Sequence, residues 1–217
     1  MEIDILLDKA NIKPSRVLDF KSFHPIDLSK NNLELGQLDL NNEAEFTSYI
    51  FEQIKKSDKE VGLGGYTEER SLYNRSQLFE GEEPRTLHLG IDIWAKAGTP
   101  VYAPIEATVH SFDNRATHGD YGPVIILEHK LDSFSFYSLY GHLSVDSLLN
   151  KKVGQMIKQG ENFARLGEYH ENFHWPPHLH FQLIRNLEGS FGDYPGVCRK
   201  TEADYYLQNC PNPAVFL

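Results

Sequence analysis

The chain has 217 residues, of which 40% are hydrophobic and 24% are charged, as in ordinary globular proteins. Its 31 acidic residues outnumber its 21 basic residues, so the net charge is −10 at pH 7. An acidic chain without a basic run gives no reason to expect binding to nucleic acid or to an anionic membrane. The two cysteines, Cys198 and Cys210, are too few for a disulfide framework, and we expect free thiols although the two could pair.

The first residues are acidic and lack the basic start and apolar run of a signal peptide. No stretch approaches the roughly 18 consecutive apolar residues that indicate a membrane span. We therefore expect a cytoplasmic protein.

Residues 1–60 are polar and mixed in pattern, and we interpret them as a partly helical N-terminal extension of a main domain over residues 61–217. Within the extension, Phe46, Ile50 and Ile54 follow one another at intervals of four, which predicts an amphipathic helix. The extension could pack near the functional groove and restrict access to it, or it could be a structural flank.

That helix is predicted over residues 42–55, with Asn41 or Asn42 as its N-cap. The glycine-rich stretch over residues 62–65 then interrupts the helical pattern.

From residue 86 the hydrophobic period changes to two, which indicates strands. Alternation over residues 87–94 predicts the first of them. Further strands are predicted over residues 101–112, 123–129, 134–142 and 178–184, and short helices over residues 144–149 and 202–207. Short strands separated by Gly and Pro turns predict a mainly β domain with an antiparallel sheet.

Histidines and an aspartate on two of these strands suggest a metal site. His88 and Asp92 share one strand face because positions i and i+4 point the same way, and His178 and His180 share a face of another strand. Adjacent strands could therefore present His88, Asp92 and His180 to one ion. Two imidazoles and one carboxylate with an open fourth position form the donor set of a catalytic zinc site.

His142 and His178 remain as candidate proton carriers beside that ion. The chain has no HExxH sequence, so no glutamate on such a helix serves as the base. A histidine pKa near 6.5 suits proton transfer at neutral pH. The sequence predicts metal-assisted hydrolysis but does not divide the roles between the two histidines.

Substrate contacts are predicted for Arg70 and Tyr73, which could bind a carboxylate of the substrate or could be ordinary polar surface. Tyr140 is interpreted first as strand packing and second as a residue that stacks on the substrate.

Four motifs in order resemble the lysostaphin and LytM-type zinc peptidases, also called β-lytic metallopeptidases. His88-Leu-Gly-Ile-Asp92 matches the HxGxD motif of that family, and the segment from Gly98 to Val109 resembles its GTPVYAP strand pair. Tyr140-Gly-His-Leu matches YxHL, and His178-Leu-His-Phe matches HLHF. The resemblance covers residues 86–184.

The resemblance implies a duplicated-hybrid-motif β fold with a groove that holds one Zn²⁺ per chain. It implies that His88, Asp92 and His180 ligate zinc and that His142 and His178 are the catalytic histidines. Members of the family are mostly metalloendopeptidases that cut peptides of bacterial peptidoglycan, often next to glycine.

A peptide or small amide is thus the expected substrate, but a cell-wall peptide is not the sole possibility. Residues 64–79, 192–197 and 210–213 resemble the peptidase-like module of some fused aminotransferase and phosphotransferase proteins, which favours a different substrate. Two alternatives to the zinc metallopeptidase remain: a non-catalytic zinc-binding or peptide-binding module, and a cytoplasmic enzyme that acts on a small amide.

Overall fold

The computed structural model describes residues 3–72, 83–117, 119–131 and 134–217. In chain order the strands are β1 (Phe23–Ile26), β2 (Val61–Gly64), β3 (Leu87–His88), β4 (Ile91–Trp94), β5 (Pro100–Tyr102), β6 (Ala107–Arg115), β7 (Gly122–Leu131), β8 (Phe134–Gly141), β9 (Met156–Ile157), β10 (Asn162–Arg165), β11 (His178–Ile184) and β12 (Val197–Cys198). The α-helices are α1 (Ile3–Lys9), α2 (Glu43–Lys56) and α3 (Ala203–Asn209). Short 3₁₀ helices are Leu35–Gln37, Val145–Leu148, Lys200–Glu202 and Pro213–Phe216.

Eight of the strands in the described part of the chain pair in the order β1-β2-β4-β11-β8-β7-β6-β9. Neighbours run antiparallel, except that β1 and β2 run parallel. Two small antiparallel pairs, β5 with β10 and β3 with β12, complete the β structure described here. The predicted mainly β fold with an antiparallel sheet is confirmed.

Two of the predicted strands are each divided in two. The strand expected over residues 101–112 is β5 followed by β6, because the chain bends at Pro104, which has no N–H to donate to a ladder. The strand expected over residues 87–94 is β3 followed by β4, with a bend at Gly90 between them. The strand predicted over residues 178–184 matches β11 at both ends.

The predicted helix in the N-terminal extension is α2, and Asn42 is its N-cap. The Asn42 side chain accepts hydrogen bonds from the backbone N–H groups of Ala44 and Glu45 at 3.1 and 3.3 Å. The three apolar residues that predicted the helix are all buried, in one cluster with Trp94 of β4. The helix therefore packs on the main sheet.

The extension shares its hydrophobic core with the rest of the chain. Leu7 of α1 and Leu18 lie in the same buried cluster as Ile93 of β4 and Phe181 of β11. Strand β1 also extends the main sheet through its pairing with β2. The described part of the extension is thus packed into one body with the main domain, and the division near residue 60 stays a prediction about the organisation of the sequence.

The glycine-rich stretch lies beyond the end of α2, in agreement with the predicted break in the helical pattern, and most of it belongs to β2. A Cβ on Gly62 would lie 2.7 Å from Ile26 Cγ1 and 3.2 Å from Trp94 Cβ. Glycine at this position lets β1, β2 and β4 approach one another closely.

Cys198 and Cys210 are both buried and free. Burial raises the pKa of each thiol to about 12, so both are protonated at neutral pH. Among the described residues, no helix is both long enough and apolar enough to cross a membrane.

Candidate metal centre and active site

The structure brings His88, Asp92 and His180 together from β3, β4 and β11. Antiparallel pairing of β4 with β11 sets His180 opposite Asp92. His88 Nε2 and His180 Nδ1 lie 3.3 and 3.2 Å from Asp92 Oδ1, and 3.0 Å from each other. Ligand atoms about 2.0–2.2 Å from a tetrahedral zinc lie roughly 3.3–3.6 Å apart, so the three atoms are close to the spacing that one ion requires.

The hydrogen bonds of the two imidazoles determine which ring nitrogen carries the proton. The Gly65 carbonyl can only accept, so His88 Nδ1 donates to it at 2.9 Å. Gln182 Nε2 donates to the Pro195 carbonyl at 3.1 Å, so Gln182 Oε1 is the acceptor for His180 Nε2 at 3.0 Å. When the rings are neutral, His88 Nε2 and His180 Nδ1 are therefore the atoms that carry the lone pairs.

Three lone-pair atoms thus converge on one point with no proton between them. Burial lowers the pKa of His88 to about 4, helped by the nearby positive charge of Arg70, so this ring is neutral near pH 7. Burial opposes ionisation of Asp92, but the interactions with His88 and with the positive charge of Arg70 outweigh it and hold the pKa of the carboxyl well below its usual value. The Asp92 carboxylate and the two imidazole lone pairs form a buried cluster of electron donors, which is the kind of site that binds a cation.

Gly90 lies at the bend between β3 and β4, where no side chain could be accommodated. A Cβ at this position would lie 2.7 Å from His180 Cε1 and 2.7 Å from the Phe181 carbonyl oxygen. Glycine therefore lets β11 and the His180 ring approach the β3–β4 bend.

His142 and His178 lie beside the ligand atoms. Their ring centroids are 4.2 Å apart, and His178 Nε2 is 3.8 Å from Asp92 Oδ1. His178 Nδ1 donates to the Pro176 carbonyl at 2.8 Å, which leaves the Nε2 lone pair facing the cluster. Burial lowers the pKa of His178 to about 4, and burial together with His178 and His180 holds the pKa of His142 well below its usual value. Both rings are neutral near pH 7.

The backbone places His142 by leaving the regular strand. Its φ is +61°, a left-handed conformation that non-glycine residues seldom adopt. The His142 N–H donates to the Tyr121 carbonyl, and the His142 carbonyl accepts from the Gly167 N–H, both at 2.9 Å. Two neighbouring loops thus hold the turn that directs this imidazole toward His178.

Two tryptophans form a wall behind the pair of histidines. Trp94 stacks on the His178 ring at 4.1 Å between centroids, and Trp175 lies 5.9 Å from the His142 ring. Phe46 of α2 contacts both tryptophans, with ring centroids 6.4 Å from each. The N-terminal extension therefore supports the two aromatic side chains that pack against His142 and His178.

A cavity of about 110 Å³ opens over these groups. Besides four of the five predicted catalytic and metal residues, the described residues that line it include charged and aromatic side chains from several loops. They are Arg70, Arg85, Arg115, Asp120, Tyr121, Trp175, Asp193, Tyr194, Pro195, Gly196 and Val197. None of these described lining residues belongs to residues 3–60, so in this structure the described part of the extension does not cover the cavity.

The three predicted substrate contacts have different outcomes. Arg70 lines the cavity, but it is only 2% exposed and its Nη1 donates to Asp92 Oδ2 at 2.5 Å. Tyr73 lies outside the described residues. The substrate contact predicted for Tyr140 is wrong in this structure, because the side chain is fully buried against Phe163 and Phe181.

Sequence reasoning missed the residues that hold the ligands. Gln182 lies two positions after His180 on β11 and so shares its strand face, which is a signal that could have indicated the contact. Glu68, whose Oε2 accepts from Arg70 Nε at 2.6 Å, and the Gly65 carbonyl carry no comparable local signal.

Part of the chain is similar to known proteins. Residues 86–190 match the model of Peptidase family M23. A protein of Haemophilus influenzae named "Uncharacterized metalloprotease" is 36% identical over 99 residues, which cover 46% of this chain and 19% of that protein. The chain thus spans about a fifth of the length of this curated relative.

Solved structures with similar segments include peptidases. A zinc-containing peptidase from Vibrio cholerae is 31% identical over 45% of this chain and 27% of its own, with a TM-score of 0.37. The catalytic domain of the antimicrobial peptidase lysostaphin from Staphylococcus simulans is 24% identical over 64% of this chain and 98% of its own, with a TM-score of 0.40. The family match includes every predicted metal and catalytic residue. The match over residues 86–190 confirms the predicted resemblance of this segment to the lysostaphin and LytM-type metallopeptidases.

Proposed function

We propose that this protein is a zinc-dependent metallopeptidase that hydrolyses a peptide or amide bond. The observation that carries the proposal is the convergence of three lone-pair atoms, on His88, Asp92 and His180, next to two neutral histidines. Those three residues would hold one Zn²⁺ per chain. When bound, zinc polarises the substrate carbonyl and lowers the pKa of the attacking water.

His142 and His178 would move the protons of the reaction. The orientation of His178, with Nδ1 bonded to the Pro176 carbonyl, presents Nε2 to the side of the site where the ligand atoms lie. One neutral ring can accept a proton from the attacking water, and the pair can return a proton to the leaving amine. Their low pKa values keep both rings neutral near pH 7, so each has a lone pair that can accept a proton.

Cell-wall peptides are the first substrates to test, because the motifs resemble those of peptidases that cut peptidoglycan. Full-length protein loaded with zinc is incubated with purified muropeptides and, separately, with a mixed peptide library, and mass spectrometry identifies the products. We expect cleavage that a chelator abolishes and added zinc restores. The products name the bond that is cut.

Two variants separate catalysis from metal binding. His142→Ala is expected to lower turnover by about 10²- to 10⁴-fold while zinc stays bound. His180→Ala is expected to lower zinc affinity. Full activity in His142→Ala would contradict the role given to that residue. If the zinc-loaded protein cleaves neither substrate set, the peptidase proposal fails, and a small-amide substrate or a binding role takes its place.

A further inference from the structure

The two oxygens of Asp92 face different partners. Oδ1 lies toward the histidine nitrogens, at 3.2 Å from His180 Nδ1 and 3.3 Å from His88 Nε2. Oδ2 faces the other way and accepts from Arg70 Nη1 at 2.5 Å. The contact with Arg70 thus determines the rotation of the carboxylate and directs a single oxygen at the proposed metal position.

Arg70 is itself held by a second carboxylate. Its Nε donates to Glu68 Oε2 at 2.6 Å, and both side chains are largely buried, at 2% and 12% exposure. Charge-assisted bonds of this kind are short and directional. A guanidinium so close to a bound cation would be repelled by it, and the two flanking carboxylates compensate for that repulsion.

The N-terminal extension orients Glu68. The other oxygen of this carboxylate, Oε1, accepts from the Leu28 backbone N–H at 3.1 Å. The next residue, Glu69, is tied to the same segment, because its carbonyl accepts from the Lys30 N–H at 2.8 Å. A continuous series of hydrogen bonds therefore runs from the backbone at Leu28 through Glu68 and Arg70 to Asp92.

The same loop also contacts a second candidate ligand. The Gly65 carbonyl accepts from His88 Nδ1 and so determines which nitrogen of that ring faces the metal position. Residues 65–70 thus contact His88 and Asp92, and they follow β2, which pairs with β1 of the extension. Partners of this kind raise metal affinity by holding ligands in their bound orientation.

We propose that Arg70 is a positioning residue for Asp92 and that Glu68, oriented by the N-terminal extension, holds Arg70 in place. The inference rests on the metal centre proposed above but not on the cleavage of any particular bond. In this proposal the positioning role takes the place of the substrate contact predicted for Arg70, because Nε and Nη1 of the guanidinium donate to carboxylates of the protein.

The test measures the zinc dissociation constant of the full-length protein by competition with a chelator, without substrate. Arg70→Lys keeps the charge and loses the forked geometry. Glu68→Gln removes the charge that holds Arg70. Glu69→Gln is the matched control, because Glu69 is the adjacent residue, pairs with Lys30 and Lys200, and has no resolved bond to Arg70.

We expect zinc affinity about 10- to 100-fold weaker in Arg70→Lys, a smaller loss in Glu68→Gln, and wild-type affinity in Glu69→Gln. The visible spectrum of the Co²⁺-loaded protein should change in the first two variants, because the orientation of the carboxylate ligand changes. Once a substrate is known, kcat should fall in Arg70→Lys while KM stays close to the wild-type value.

Wild-type zinc affinity in both Arg70→Lys and Glu68→Gln would overturn the proposal. A raised KM with unchanged zinc affinity would restore the substrate contact instead. Urea unfolding of the apoprotein shows whether Arg70→Lys folds. If it does not, the zinc affinities of Glu68→Gln and Glu69→Gln are compared, and equal affinities would overturn the proposal. Because zinc affinity is measured without substrate, a failure to cleave peptides would contradict the proposed function and leave this inference standing.

Discussion

Residues 86–190 and residues 3–60 contribute to the candidate site in different ways. The first segment carries all five predicted metal and catalytic side chains, each within a short motif. The second supplies none of the described residues that line the cavity, yet Phe46 supports Trp94 and Trp175, and the Leu28 N–H orients Glu68. The metal and catalytic side chains can thus lie in one segment of the chain, while another segment that carries no motif contacts the residues that hold them in place.

The strongest test of this comparison is deletion of residues 1–60. We expect a protein that does not fold, because β2 loses one of its two partner strands and the core loses about a dozen buried apolar side chains, each worth about 1.5–3 kcal/mol. Those side chains are Ile3, Leu6, Leu7, Val17, Leu18, Phe20, Ile26, Leu28, Leu35, Phe46, Ile50 and Ile54. The sum exceeds the usual net stability of roughly 5–15 kcal/mol.

Circular dichroism and size-exclusion chromatography check this outcome. A truncated protein that unfolds cooperatively and keeps its activity would show that the extension is separable. Higher activity than the full chain would favour the predicted role of the extension in restricting access to the groove.

Phe46→Ala sharpens the comparison at one contact. We expect a loss of about 3–5 kcal/mol in the free energy of unfolding, because the side chain is fully buried between two tryptophans. Trp94 and Trp175 are the only tryptophans in the chain, so a red shift in fluorescence reports directly on the wall behind His142 and His178. Phe46→Leu serves as the milder control. An unchanged emission spectrum in Phe46→Ala would argue against support from α2.

A test within residues 86–190 concerns His129 of β7. This side chain is fully buried between the Glu106 carbonyl and the Ser138 hydroxyl. Burial lowers its pKa to about 4, against ~6.5 in the unfolded chain. As the pH falls, the unfolded state therefore binds a proton before the folded state does. The free energy of unfolding decreases between about pH 6.5 and pH 4, by on the order of 3 kcal/mol. Above about pH 6.5 His129 does not affect it.

Urea unfolding at pH 7 and at pH 4.5 measures this loss for the wild type and for His129→Gln. The variant keeps a hydrogen-bonding side chain but does not titrate, so its stability should fall less. The histidines of the site are common to both proteins and cancel in the difference. Equal losses in the two proteins would rule out the contribution of His129.

The smallest expected effect tests the N-cap of α2. Asn42→Ala should lower the free energy of unfolding by about 1 kcal/mol, because two backbone N–H groups lose their acceptor. Asn41→Ala is the control, since the Asn41 side chain makes no resolved bond to those groups. Thermal unfolding of both variants measures the difference. Equal free energies of unfolding would show that packing alone stabilises α2.

Much of the fold could be predicted because the hydrophobic period of an element, and the Gly and Pro residues that separate elements, are visible in short stretches of sequence. The alternation over residues 178–184 gave β11 at both ends, and the spacing of Phe46, Ile50 and Ile54 gave α2. Strands β1 and β2 escaped prediction because they are short and lack alternation. Their parallel pairing depends on partners some forty residues apart in the chain.

The site was predictable in its residues but not in its contacts. Strand alternation would place Tyr140 and His142 on one face of the strand predicted over residues 134–142. The left-handed backbone at His142 turns that imidazole toward His178, while Tyr140, opposite Phe181, stays in the core. A backbone conformation set by flanking loops thus overrides the simple period.

By itself the sequence determined the order and type of the reactive side chains, because their spacing along strands decides which face each occupies. The tertiary structure decided which ring nitrogen faces the metal position, which oxygen of Asp92 does so, and what Arg70 binds. Those choices depend on hydrogen-bond partners such as Gly65, Gln182 and Glu68. Most of these pairs come from different elements, and only folding brings such elements together to exclude water and set the protonation of the groups they enclose.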